Sequence, residues 1–293
     1  MANTTFSPKI FAKETIRIFN QKNVFQRYAN TDYSGELQKA GDSVMVQIAP
    51  TLTFTASSIT SPGATDFTTG TWPGGTITAT DFVLTSENLV INKYVEKRFV
   101  LKDFELKQSN LNLEEKVATQ VSVALANLLD SDFRDQILVT DVATIPTANK
   151  LYSWSPKSDV SKTTIYGYIE EMRVALANQN VTDNLVLFLC PKHYSALLQS
   201  GLLDAHEKGF DVRTSGDFRM LWNVKVVQTN ALTASFEMIM MAEWCVNYVT
   251  QITDTKITEG ADGFYKNLLY TVVWWAKIFS PSAKGIAIFY ASA

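Results

Sequence analysis

The sequence predicts an α+β fold. Three observations carry that expectation: a long amphipathic helical pattern from Asn112 to Leu138, an alternation of helices and apolar strands between residues 162 and 242, and a strand-rich end from Leu268 to Tyr290. With 293 residues, 46% of them hydrophobic, the chain has material for one large or two modest domains and a sizeable core.

The elements follow in chain order. Ser7 and Pro8 read as a helix cap and first turn, and Phe11 and Ile18 share a face, giving a short helix from about Pro8 to Asn20. Residues 28 to 41 are polar and turn-rich and read as an extended arm. Val44, Val46 and Ile48 alternate with Met45 and Gln47, which predicts a strand ended by Pro50.

Residues 51 to 80 then contain eleven Thr, three Ser and four Gly, and no Lys or Arg lies between Lys39 and Lys93. Further alternating stretches begin near Thr76 and run from Leu89 to Leu101. A structureless loop of this length is rare inside a compact domain, and Thr favours strand. The expectation is a long β-hairpin projecting from the body, its tip near Ser61 to Gly75. The alternative is a disordered Thr/Gly loop. An isolated two-stranded hairpin is marginal in water, so such an arm needs a neighbour to lie on.

Asn112 reads as the cap of the longest helix, with Glu115 completing a capping-box spacing. Leu113, Val117, Val121, Leu125 and Leu128 are expected on one face, in a rod of ~40 Å. Residues 139 to 161 read as a linker. Beyond it come a helix over Lys162–Asn178 with Ile165, Ile169, Met172 and Leu176 inward, a continuous apolar strand Leu185–Cys190, a proline-opened helix Pro191–Gln199, and strands Val224–Gln228 and Met238–Ala242. This alternation indicates a buried sheet with helices on its faces. Leu268 to Phe279 and Gly285 to Tyr290 read as strands on either side of the break Ser280-Pro281-Ser282.

Chemistry is sparse. Charged residues are 19% of the chain, below the roughly 25% of ordinary globular chains. That suits a surface covered by other copies, and equally a Thr-rich soluble protein. The net charge of −3 provides no basic excess for gripping phosphates. Cys190 and Cys245, isolated in apolar runs, read as small buried hydrophobes rather than a disulfide or zinc pair. His193 and His206 have no second His or Cys at ligand spacing, and read as surface or hydrogen-bonded residues. Glu114-Glu115 and Glu170-Glu171 read as solvated helix faces, and Pro73-Gly74-Gly75 as a turn. The mixed charges of Lys93, Glu96, Lys97, Arg98, Lys102, Asp103, Glu105 and Lys107 read as a solvated surface or as a contact between subunits that sets register. No catalytic, cofactor-binding or metal-ligating residue is assigned, and no enzyme activity or cofactor is expected. The apolar run Leu268 to Ala276 is too short to span a membrane, so no membrane association is expected.

The order of parts resembles the major capsid proteins of tailed phages, those with the Hong Kong 97-type fold. Ser7-Pro8-Lys9-Ile10-Phe11-Ala12-Lys13-Glu14, then Asn30-Thr31-Asp32-Tyr33-Ser34-Gly35-Glu36, then Gly41-Asp42-Ser43-Val44 are similar to the opening of the coat-protein branch of that family. Ala242-Glu243-Trp244, Gln251-Ile252-Thr253, a long apolar strand, a Pro break and a last strand are similar at the other end. The resemblance implies an N-terminal arm (1–44), an extended β-hairpin loop (45–100), a peripheral domain with a spine helix (101–154 and 251–282) and an axial domain (155–250 and 283–293). It implies a major capsid protein that self-assembles as pentamers and hexamers into an icosahedral phage head. The head encloses double-stranded DNA without sequence-specific binding. A portal and a separate scaffolding protein are the implied partners. The implied location is the virion, after synthesis and assembly in the host cytoplasm.

One departure bears on how such a shell is held. Some members crosslink subunits through a lysine of the extended loop, and here no lysine lies between residues 40 and 92. Three other readings stay open. Encapsulins, bacterial nanocompartments, share the fold and would differ by binding cargo peptides inside. A phage tail or tube protein would lack the long helix. An α/β enzyme built on residues 162 to 242 would show a deep pocket joining His193 or His206 to carboxylates.

Overall fold

The computed structural model describes residues 23–32, 43–48, 84–102, 113–152, 160–200, 220–232, 237–259 and 265–290. The helix expected over Pro8–Asn20, the hairpin tip, the Asn112 cap and His206 lie outside these residues.

The chain divides into two compact units. One comprises Met45–Asn88, and the other Met1–Val44 with Leu89–Ala293. Strands β1 (Ser43–Ile48) and β2 (Thr85–Val90) pair with each other as a two-stranded sheet. The alternation of Val44, Val46 and Ile48 that predicted β1 is thus realised as a strand.

The larger unit is organised by two sheets. The first has six strands in the order β4-β11-β8-β5-β7-β6, from β4 (Lys150–Tyr152), β5 (Leu185–Leu189), β6 (Met220–Leu221), β7 (Val224–Gln228), β8 (Met238–Ala242) and β11 (Ile286–Tyr290). β5 and β8 are buried at every residue, as continuous apolar runs must be when both faces of a sheet are covered. Paired residues share a face, so Phe188, Ile239 and Ile288 stand on one side and Leu187, Met240 and Ala287 on the other. On the second side lies α2 (Ile165–Asn178), where Tyr168 meets Phe289 with ring centroids 4.5 Å apart. Ile165, Ile169, Met172 and Leu176 of α2 are fully buried, the stripe that the sequence spacing predicts. α3 (Pro191–Gln199) starts with proline, and the Cys190 sulfur accepts the His193 N–H at its first turn.

The second sheet has three antiparallel strands, β3 (Lys93–Lys102), β10 (Tyr265–Ile278) and β9 (Val246–Glu259), in that order. The β9–β10 register slips by one residue at Thr271/Val272, leaving Thr253 of β9 without an opposite number. α1 (Leu113–Asp135) continues through a π-helical turn, Gln136–Thr140, before the chain leaves the helix.

Three expectations need correction. Leu128 is 41% exposed, and Leu129 is buried in its place. The core stripe of α1 runs in steps of four through Val121, Leu125, Leu129, Phe133 and Ile137, so a step of three from Leu125 leaves it. Residues 150–152, expected in a linker, form edge strand β4 beside β11. The last long strand begins at Tyr265 rather than Leu268, because β10 pairs with both neighbours from there or one residue later. β9 extends over fourteen residues although its second half, Thr253 to Glu259, carries Asp254, Lys256 and Glu259.

Candidate assembly surfaces

The chain around residues 23–30 is fastened to the body by three kinds of contact. A 3-10 turn at Phe25–Tyr28 carries Phe25, which is fully buried between Phe133 of α1 and Phe188 of β5, with centroids at 4.7 and 4.4 Å. The N–H groups of Val24 and Phe25 donate to the Asp130 carboxylate at 3.1 to 3.2 Å. Asn30 then forms a parallel bridge beside Asn247: its N–H donates to the Val246 carbonyl and its carbonyl accepts the Tyr248 N–H, both at 2.9 Å. A side-chain bond from Asn30 Nδ2 to Asn247 Oδ1 adds to this. Sequence reading missed Asp130, which is 4% exposed. Burial pushes its carboxyl up to about 6, against the two backbone N–H bonds and the nearby Arg27 charge, which favour the ionised form.

The three-stranded sheet is tied to α1 through Asp132. One oxygen pairs with Lys93 Nζ at 2.5 Å, the other accepts the indole N–H of Trp274 at 2.8 Å, and the Lys93 ammonium lies 5.0 Å from the Trp275 ring centroid. Asp141, just after the π-turn, accepts the backbone N–H of Ile278 at the end of β10. Arg134 forks onto Glu237 through Nε and Nη2 and also meets Asp135, and the Glu237 bond raises the guanidinium above its ordinary range.

Among the described residues β3 is an edge strand of its sheet, and it presents mixed chemistry to solvent. Tyr94 and Val100 are 62% and 50% exposed, and Glu96, Lys97, Arg98 and Lys102 are exposed among them. The charged cluster expected after the hairpin therefore divides: Lys93 turns inward to Asp132, Arg98 bonds Asn267 of β10, and the rest of the described members face water. Asp103, Glu105 and Lys107 lie outside the described residues. In the smaller unit Met45 is 64% exposed and Gln47 is exposed. An edge strand offering unpaired backbone groups beside apolar side chains is a surface that a further chain can extend.

The residues weighed for chemistry are scattered. His193 is fully buried in the core, not on the surface as the first of the two expectations had it. Cys190 is buried beside it; burial pushes its thiol up, but its interactions with His193 and the Lys192 backbone together outweigh that and the net position is below the ordinary value. Cys245 is buried, and desolvation pushes its thiol up to about 12. Glu170 and Glu171 are exposed on α2 and border a shallow cavity of about 510 Å³ with Leu151 and Val174. A second cavity of about 680 Å³ is lined by Asp130. Neither cavity has His193 or Cys190 among its described lining. Among the described residues no three His, Cys, Asp or Glu side chains gather as a metal site, and no helix is long and apolar enough to cross a membrane.

No family model matches the sequence, and no curated protein matches it. Solved structures do. A chain of Mycobacterium phage Che8 superposes with a TM-score of 0.69 at 18% identity, over 91% of this chain and 90% of that one. A chain from the capsid of the cyanophage P-SCSP1u gives 0.67 at 13% identity, covering 92% and 88%. A virus-like particle from Pyrococcus furiosus gives 0.55 at 16% identity, covering 94% and 96%. With its helix α1, its three-stranded and six-stranded sheets and near-complete coverage in both directions, the chain has the phage-capsid fold, the Hong Kong 97 type.

Proposed function

We propose that this chain is a shell subunit, the major capsid protein of a phage, which assembles as pentamers and hexamers into an icosahedral head around double-stranded DNA. The observation that carries this reading is the overlap in fold, across nine tenths of both chains, with a subunit of a phage capsid. Fold alone does not establish function. The surfaces described above add a physical argument in the same direction. The unit Met45–Asn88 contains a two-stranded sheet, which is marginal by itself in water and gains by lying on another chain. β3 adds an open edge with Tyr94 and Val100 outward. Contacts of this kind between unlike surfaces, closing on a curved lattice, give a shell.

In this reading residues 1–44 are an arm, 45–100 an extended loop, 101–154 with 251–282 a peripheral domain, and 155–250 with 283–293 an axial domain. The shell is held by noncovalent overlap, since the loop offers no lysine between residues 40 and 92. A portal and a scaffolding protein are the proposed partners, and the virion is the proposed location.

The test is to express the chain alone and with the neighbouring genes of its source, and to examine the products by negative-stain microscopy. Closed shells, or rings of five and six subunits, are the expected result. A strictly monomeric particle at high concentration overturns the proposal.

The match to the Pyrococcus furiosus virus-like particle supports a second reading, a shell whose contents are not a phage genome. Nuclease-protected DNA of a single length inside particles from the native source favours the phage head. Particles filled with one protein favour the second reading.

A further inference from the structure

Asp130 faces a space left open among the described residues. The 680 Å³ cavity on which it opens is bordered by Val24, Asn127, Ser131, Gln228 and Asn230, and no Lys, Arg or His is among its described lining residues. The carboxylate itself is 4% exposed, so water compensates it poorly, and the bonds it accepts come from the backbone N–H groups of Val24 and Phe25. A carboxylate has about four lone-pair directions, so acceptor capacity remains on the side away from that turn. The mouth is rich in further acceptors. Ser131 spends its hydroxyl hydrogen on the Asn127 carbonyl, leaving its oxygen to accept. Asn127, Gln228 and Asn230 are exposed and carry amide oxygens.

We propose that this cavity binds an organic cation, an alkylammonium or guanidinium group, with the Asp130 carboxylate as its counter-charge and the Asn127, Ser131 and Gln228 oxygens as its neutral acceptors. An anion would meet a buried negative charge there. An apolar group would strip the carboxylate of what hydration it keeps. A cation supplies an opposite charge on the cavity side of the carboxylate, where no Lys, Arg or His is among the described lining residues, and several donors to match several acceptors. The same chemistry is offered by a free diamine and by a Lys or Arg side chain of another polypeptide. The inference is independent of the shell-subunit reading, because it concerns one chain and one cavity.

Ionisation gives the site a pH signature. Burial holds the Asp130 carboxyl at about 6, and a bound cation stabilises only the ionised form. The charged and titratable groups acting on Asp130 from the packed elements are Arg27 on the 3-10 turn and Tyr248 on β9. Burial pushes the Tyr248 hydroxyl above its ordinary value, so it stays neutral in the acidic range. At pH 5 only about a tenth of the carboxylate is ionised, which weakens binding about tenfold relative to pH 7.5.

The experiment is isothermal titration calorimetry on the full chain at fixed ionic strength, with putrescine in one arm and, in the other, an end-capped pentapeptide whose one lysine is its only charged group. The expected result is a saturable single site for at least one probe at pH 7.5, about tenfold weaker at pH 5 and lost in Asp130→Asn. Ser131→Leu, which plugs the mouth and leaves the Asp130 bonds in place, is expected to lose it as well and decides the matter where Asp130→Asn folds poorly. Binding of putrescine alone identifies free small cations as the ligand, and binding of the peptide alone identifies a basic segment; either supports the proposal. No saturable heat from either probe up to about 10 mM, or binding unchanged in a folded Asp130→Asn or Ser131→Leu, overturns it.

Discussion

A buried acid with a raised proton affinity gives stability a pH slope. Asp130 titrates near 6 in the folded chain against 3.8 as its reference. The folded state therefore holds a proton that the unfolded state has released between those values. The contribution of this group is most favourable below the unfolded value and is lost as pH rises through about 6, up to a limit of roughly 3 kcal/mol. Asp130→Asn keeps an oxygen for the Val24 and Phe25 N–H groups and cannot ionise. Urea denaturation of both proteins from pH 4 to 7.5 is expected to show the wild type losing stability relative to the variant as pH rises. A constant difference would remove this account of Asp130. Gly285 makes a different residue-scale prediction. A Cβ built there lies 2.1 Å from the Cys245 sulfur and 3.4 Å from the Trp244 ring. Gly285→Ala is expected to cost about 1–3 kcal/mol by overpacking, and adding Cys245→Ala should return part of that in a double-mutant cycle. Asp130 was not legible in the sequence. In Leu129-Asp130-Ser131-Asp132 it reads as one more exposed helical acid, and its partners lie more than a hundred residues earlier in the chain. Gly285 was read only as the start of a strand, since the sulfur that requires it belongs to another turn.

Elements were more legible where one physical signal dominated. α3, β7 and β8 fall on their predicted bounds because a proline start or a short apolar run marks them without competition. β9 was not read as a strand from the sequence: it mixes Thr, Asp and Lys with its apolar residues, and the slip at Thr253 breaks the period of two that a strand shows in sequence. β4 has three residues and forms only beside β11, so its own sequence has little to announce. The joint between α1 and the three-stranded sheet is also a tertiary property. Asp132 satisfies both Lys93 and the Trp274 indole, and Trp274 is 5% exposed. Asp132→Ala leaves that N–H without its acceptor and is expected to cost about 1–3 kcal/mol. The loss should show in hydrogen exchange as faster opening of β3 and β10, with the six-stranded sheet little changed. Equal acceleration in both sheets would place the role of Asp132 elsewhere. Phe25→Ala removes a fully buried ring from between Phe133 and Phe188, with an expected cost of about 3–5 kcal/mol; limited proteolysis near residue 30 should report it first.

For the whole molecule, Met45–Asn88 forms a compact unit of its own. Deleting residues 55–78 is accordingly expected to leave the larger unit folded, with an unchanged far-ultraviolet spectrum per helix, while stable shells fail to form. Intact shells from that deletion would sink the proposed role of the loop. The class of fold was legible because its largest parts, a long helix and a buried sheet alternating in sequence with helices, are written in local periodicity. The interlocking of those parts was not, because it is made by residues far apart in sequence.

The position of β11 has a consequence for how a chain of this kind is made. It lies between β4 and β8, so it occupies an interior slot of a sheet whose other strands are all synthesised earlier. From Lys150 to Ile286 the ribosome adds 136 residues, which takes roughly 7–27 s at typical rates of synthesis. Among the described residues β11 is the strand that β4 pairs with, so β4 waits through that interval, and β8, complete at residue 242, waits for the last part of it. A product that stops before residue 286 lacks β11 and leaves the slot between β4 and β8 unfilled, so this sheet is completed only when the last strand has been made.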